Sequence, residues 1–264
     1  MMFLRSSLAR SGVLFLALAG IGSTGCITTA VVNKVQYQNR LREQEAARQR
    51  RIAELEPAAA AGDARARVAL ANELLSTPDH DPRDLRRALA LLEQAVAQDY
   101  GPAQGRLGEI LVGGLAGNNS LPVDLRNRER GIVLLQRAFA HGCRAASYGT
   151  IDGIDPAWKA GQALDAVGRH EQAVVWRARS ILDCDSPTPG FLFYEATSRQ
   201  VAQARRTDAL AILLLTRDTN AIAKVRAAVP ADEFATAERR AVDLQREIAD
   251  SQRDYPAPPR KEQP

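Results

Sequence analysis

Aromatic side chains are scarce in this chain, 5% of 264 residues. Alanine, leucine and arginine dominate instead, a composition that suits closely packed short helices and suits a sheet badly. Charge of one sign is also lacking. The formal excess is +4 and the pI near 9.2, and Arg5 and Arg10 alone supply half of that excess, so no nucleic-acid partner is implied. There are only three histidines. His80 stands in Asp79-His80-Asp81-Pro82, which reads as a polar turn because no second cluster completes a metal site. His141 and His170 fall at or beside turns with no nucleophile pattern near them. G-x-S-x-G, H-E-x-x-H, Walker and dinucleotide fingerprints are all missing. The expectation is a non-catalytic protein with no cofactor and no metal.

Long apolar runs are missing too, except at the start. Arg5 and Arg10 precede Val13-Leu14-Phe15-Leu16-Ala17-Leu18-Ala19-Gly20-Ile21, too short for a mature membrane span and right for a secretory signal over residues 1–25. It closes on Ser23-Thr24-Gly25-Cys26, which resembles a bacterial lipobox, with Ser23 where that motif usually has leucine. The resemblance implies lipidation at Cys26, and Ile27 in place of aspartate implies an outer-membrane address with the body in the periplasm. Acyl chains would then anchor the chain without a transmembrane helix. Residues 26–57 carry a thin apolar line at Val32, Val35, Leu41, Ile52 and Leu55 among many charges. They read as a helical tether, with a coiled-coil or partner-binding helix as the alternative.

What is present beyond Pro57 is helical periodicity. Leu85, Ala88, Leu89, Leu92, Ala95 and Val96 share one helix face, and Ala103, Leu107, Ile110 and Leu111 share another. Between them Asp99-Tyr100-Gly101-Pro102 reads as a break, Gly101 supplying a positive φ and Pro102 a first turn. An αα-hairpin over Asp84–Leu111 is expected, and such a hairpin must stack on copies of itself to bury its stripe. Copies are visible. Ala66, Leu70, Ala71 and Leu74 echo Ala103, Leu107, Gly108 and Leu111; Gly131, Leu135, Ala138 and Phe139 echo Ala88, Leu92, Ala95 and Val96.

The pattern resembles the Sel1-like branch of the tetratricopeptide family, carried by Ala103-Gln104-Gly105-Arg106-Leu107-Gly108 and by Arg87-Ala88. Ala71 for glycine and Arg130-Gly131 for the basic-Ala pair depart from it and predict looser packing there. Asp155-Pro156 with Gly161, Leu164, Gly168 and Ala173 has the spacing of a further tetratricopeptide unit, with Arg177 where an aromatic is usual. The implied fold is all-α, a short right-handed α-solenoid of antiparallel helix pairs over residues 58–185. Helices over 186–251 should cap it, with the Phe234, Ala237, Ala241, Leu244, Ile248 seam in the last. Residues 252–264 read as a disordered tail.

In that family, peptides or protein partners bind on the concave face. Asn72, Gln104, Arg106 and Glu109 are the candidate solvent-facing residues there. Trp158, Trp176, Phe139 and Tyr148 read as core in preference to groove anchors. Cys143 and Cys184 are left to pair in an oxidising periplasm or to stay buried and free, and the sequence leaves both open. The function expected is an interaction scaffold in an envelope assembly with protein partners. A glycan-binding accessory of polysaccharide export or cell-wall metabolism is the alternative.

Overall fold

The computed structural model describes residues 11–76, 81–116, 119–144, 154–184 and 190–258. The expectations that fall on residues 1–10, Asp79, His80, Tyr148 and the Cys26 side chain lie outside the described residues. The chain divides into two units, Met1–Glu54 and Leu55–Pro264. In the first, the helix α1 (Ser11–Ala60) starts, and from residue 34 to 46 its side chains are exposed, Val35, Tyr37 and Leu41 included. Its charges are tied locally, as where Glu45 accepts from Gln49 at 2.7 Å and from Arg48 at 3.0 Å. No helix among the described residues is long and apolar enough to cross a membrane.

In the second unit, α1 runs through Pro57 and ends at Ala60, a little beyond the expected tether boundary, with Ala61 N donating to the Pro57 carbonyl at 2.9 Å. Short helices then follow one another, several opened by a carboxylate or amide that caps the first turn. Asp63 accepts from Ala66 N at 2.8 Å and starts α2 (Ala64–Leu74). Asp81 and Pro82 start α3 (Pro82–Val96). After α4 (Gly101–Gly113) comes a small antiparallel hairpin, β1 (Leu115–Ala116) with β2 (Asn119–Ser120). Asn127 then caps α5 (Arg128–His141), accepting from Arg130 N at 3.0 Å. Asp155 and Pro156 open α6 (Pro156–Ala166), as their sequence predicts, and α7 (His170–Leu182) follows a turn at Gly168. The remainder is α8 (Gly190–Thr197), α9 (Gln203–Leu215), α10 (Thr219–Ala228) and α11 (Ala231–Asp254).

Among the described residues the unit is therefore helical apart from that hairpin, and neighbours in sequence pack as neighbours in space: α2 on α3, α4 on α5, α6 on α7, α8 on α9. The two helices of Asp84–Leu111 do touch, yet α3 packs more extensively on α2, and α4 on α5. The turn between α3 and α4 also differs from its sequence expectation. Asp99, not Gly101, has the positive φ of 55°. Gly101 is the first residue of α4 and has no room for a side chain, because a Cβ there would lie 2.4 Å from the Cβ of His141.

The α4–α5 contact explains why. A Cβ on Gly108 would lie 3.0 Å from the Gly131 carbonyl oxygen, and one on Gly131 would lie 2.9 Å from the Val112 backbone nitrogen. Two glycines face each other and bring the helix backbones together. The departure at Gly131 thus tightens the packing where looseness was expected. Arg130 beside it forks onto both carboxylate oxygens of Glu93 and fastens α5 to α3.

Two cores result. Ile132, Leu135, Phe139, Ala157, Ala160, Leu164 and Trp176 join α5, α6 and α7. Val174, Ala178, Leu192, Leu210, Leu213, Phe234 and Leu244 join α7 to the later helices. The expected seam of α11 is buried at every position from Phe234 to Ile248 and packs on α9 and α7. One boundary is corrected: Gln252 onward is not all tail. The helix reaches Asp254, and Tyr255 packs edge-on to Trp176 with ring centroids 5.5 Å apart.

Candidate binding cleft

Where α4, α5 and α6 meet, the surface opens into a cleft of about 360 Å³. Its floor is apolar, built from Val112, Leu135 and Ala163, and its walls carry Arg106, Glu109, Arg128, Lys159 and Gln162. The two helices that face each other across it present equivalent positions. Gly161 repeats the role of Gly108, since a Cβ on it would lie 3.1 Å from the Ala173 carbonyl oxygen of the next helix. The offset that carries Gly108 to Gly161 also carries Arg106 to Lys159, Glu109 to Gln162 and Gly113 to Ala166, and all six of these flanking residues line the cleft.

Two of the four sequence candidates are corrected here. Gln104 and Arg106 are not solvent-facing but buried, at 1% and 3% exposure. The cause is a polar network inside the helix stack. Gln104 Nε2 donates to Asp99 Oδ1 at 2.7 Å. Arg106 Nε donates to Asn72 Oδ1 at 2.9 Å and its guanidinium also meets Glu109 Oε2 at 2.7 Å. Arg106 therefore ties α2 to α4 and touches the cleft only with part of its surface, while Asn72 is an acceptor for it and does not line the cleft. Glu109 remains at the wall with its charge answered by Arg106.

Arg128, Lys159 and Gln162 were not among the sequence candidates. The signal for them existed: aligning Gly161 on Gly108 places Lys159 and Gln162 where Arg106 and Glu109 stand. It was obscured because the same offset puts Ala160 on Leu107 and Ala157 on Gln104, which weakens the likeness between the two helices. Arg128 is visible only in three dimensions, at the first turn of α5.

The carboxylates next to the two open cations, among the described residues, are engaged elsewhere. Glu129, next to Arg128, is held by Arg169 at 2.9 Å, and Asp165 on α6 is engaged by His170 and lies 4.0 Å from Arg205. Neither Arg128 nor Lys159 has an ion pair among the described residues. No family model, curated protein or solved structure matches the chain.

The remaining candidates fall elsewhere. Cys143 and Cys184 form a disulfide with Cα atoms 5.7 Å apart, which settles the alternative left open by the sequence and joins the segments that follow α5 and α7. Trp176 is core, 3% exposed and edge-on to Phe139. Trp158 is half-buried, stacked at 4.9 Å on Phe191 with Arg177 above it at 5.2 Å. His141 reaches from the end of α5 to Asp99 in the turn before α4, and His170 meets Asp165 across the turn between α6 and α7. Among the described residues no group of three or more histidine, cysteine, aspartate or glutamate side chains could hold a metal.

Proposed function

We propose that this chain is an outer-membrane-anchored periplasmic lipoprotein, a non-catalytic scaffold whose helix pairs form a short right-handed solenoid of the Sel1-like kind and hold a protein partner of an envelope assembly. The observation that carries the reading is the cleft between α4, α5 and α6: an apolar floor, walls from equivalent positions of successive helix pairs, and no histidine, cysteine, serine or threonine among its described lining residues. Stacked helix pairs that leave such a furrow favour binding over chemistry. The address rests on Arg5, Arg10, the apolar run to Ile21 and the Gly25-Cys26 pair.

A glycan partner is less well supported, because both tryptophans are engaged and the cleft is lined by no aromatic ring among the described residues. Trp176 is buried, and Trp158 is partly covered by Phe191 and Arg177.

Two experiments test the reading. Cys26→Ser should release the protein from sedimenting outer membrane into the soluble periplasmic fraction, and a variant that still sediments removes the anchor. A photo-crosslinking amino acid at Gln162 should trap one envelope protein in living cells. If it traps none while the same probe at exposed Arg239 does, the cleft is not the binding face.

A further inference from the structure

The scaffold reading leaves the chemistry of the partner open, and the charge of the cleft narrows it. Among its described lining residues are three cations and one anion, Arg106, Arg128 and Lys159 against Glu109. Arg106 and Glu109 satisfy each other at 2.7 Å, which leaves the two open cations facing the space between α5 and α6. Arg128 also sits in the first turn of α5, where the helix end adds positive potential. Between these charges lies not a polar surface but Val112, Leu135 and Ala163. A small inorganic anion would satisfy the cations and leave that floor wet. A purely apolar segment would cover the floor and strand two cations.

We infer that the cleft takes an extended acidic segment of a partner protein, with an aspartate or glutamate carboxylate held between Arg128 and Lys159 and an adjacent apolar side chain laid on Val112, Leu135 and Ala163. Gln162, which can donate and accept, fits the segment's backbone amides. Arg106 and Asn72 hold the wall in place and do not select the ligand. This inference rests on the scaffold reading but not on its membrane address.

The test is selection of a random dodecapeptide phage library on the full-length, detergent-purified protein, followed by fluorescence anisotropy of the selected peptides. Selected sequences should be rich in aspartate or glutamate next to aliphatic residues, and their affinity should fall with salt. Arg128→Glu with Lys159→Glu should weaken them by about tenfold or more, Arg128→Gln with Lys159→Gln by less, and Arg199→Glu, remote on the surface, not at all. Helical circular dichroism and melting identify any variant that fails to fold, and the glutamine pair then carries the test. Basic or neutral selected peptides, no selection, or acidic peptides indifferent to both pairs of substitutions overturn the inference. A uronic-acid oligosaccharide that displaces the peptides and binds more tightly gives the cleft to a glycan and also overturns it. Acid-selective binding with an unchanged Cys26→Ser fractionation would keep this site and remove only the membrane address.

Discussion

Helices α4 and α5 meet through two glycines, whereas α7 and α11 meet through a buried arginine. In the first pair nothing polar is needed, since Gly108 and Gly131 let each backbone reach the other. In the second, Arg179 is 0% exposed. Its guanidinium lies over the rings of both Trp176 and Phe139, 4.7 and 5.0 Å from their centroids. It donates to Asp183 Oδ2 at 2.9 Å, to Ser251 Oγ at 3.2 Å and to the Tyr255 carbonyl at 2.6 Å. The difference teaches what each contact can tolerate. A glycine crossing fails when anything is added, and an arginine clasp fails when anything is removed.

The clasp should therefore show the largest effect. Arg179→Met keeps much of the apolar stem but leaves Asp183, 9% exposed, without its guanidinium. A cost of about 4 kcal/mol is expected, because a buried charge that loses its partner is worse than no charge at all. Urea unfolding measures it, and limited proteolysis should show Tyr255 and the end of α11 released first. Loss of stability without that release would mean the arginine acts through packing alone.

The Cys143–Cys184 bridge spans both regions, and replacing both cysteines with alanine comes next. A bond across 41 residues of chain restricts the unfolded state and should contribute about 3 kcal/mol. Thermal melting with and without reductant reads it in the native chain. An unchanged melt would show that Phe139, Trp176 and Tyr255 hold this junction unaided.

Addition at the crossing follows. Gly131→Val should cost about 2 kcal/mol by overpacking, since its Cβ would meet the backbone atoms of Val112 and Gly108, which cannot turn aside. Gly113→Ala, with nothing within 4 Å of a new Cβ, should instead stabilise by about 0.5 to 1 kcal/mol through helix propensity. Opposite signs on two glycines in contacting helices would confirm that close approach, and not glycine itself, sets the tightness of this contact.

The sequence carried the helices far better than it carried their contacts. The seam of α11 and the start of α6 were legible because 3.6-residue periodicity and Asp-Pro capping are local signals. Gly131 was misread because a departure from a motif looks like decay, and only its partner Gly108 shows it to be a contact. Arg106 and Gln104 were misread for a related reason. Charged and amide side chains read as exposed until a partner such as Asn72 or Asp99 is found in space. α10 falls within the helical cap expected over 186–251 but has no boundaries of its own in the sequence reading, since Thr219–Ala228 fully buries only Val225, with Ala221 and Ile222 partly buried beside it.

The smallest effect contrasts two carboxylates, Asp183 clasped by Arg179 and Asp155, which has no ion pair among the described residues. Asp155 is half-buried at the start of α6, and desolvation raises its pKa above the ordinary value, against the opposing pull of Ser180 Oγ at 2.5 Å, Trp158 N at 3.0 Å and the charge of Arg144. A folded-state value above the unfolded one means that the native protein binds the proton more tightly. Its stabilising contribution is then present below the unfolded value, about 3.9, and is lost as pH rises through the folded value. Asp155→Asn keeps an oxygen for Trp158 N and an amide for Ser180 Oγ while removing the buried charge. The variant should melt no lower than the native chain at pH 7, and acidification toward pH 4 should favour the native chain relative to it. A variant less stable at pH 7, with the gap closing in acid, would show that the hydrogen bonds outweigh burial.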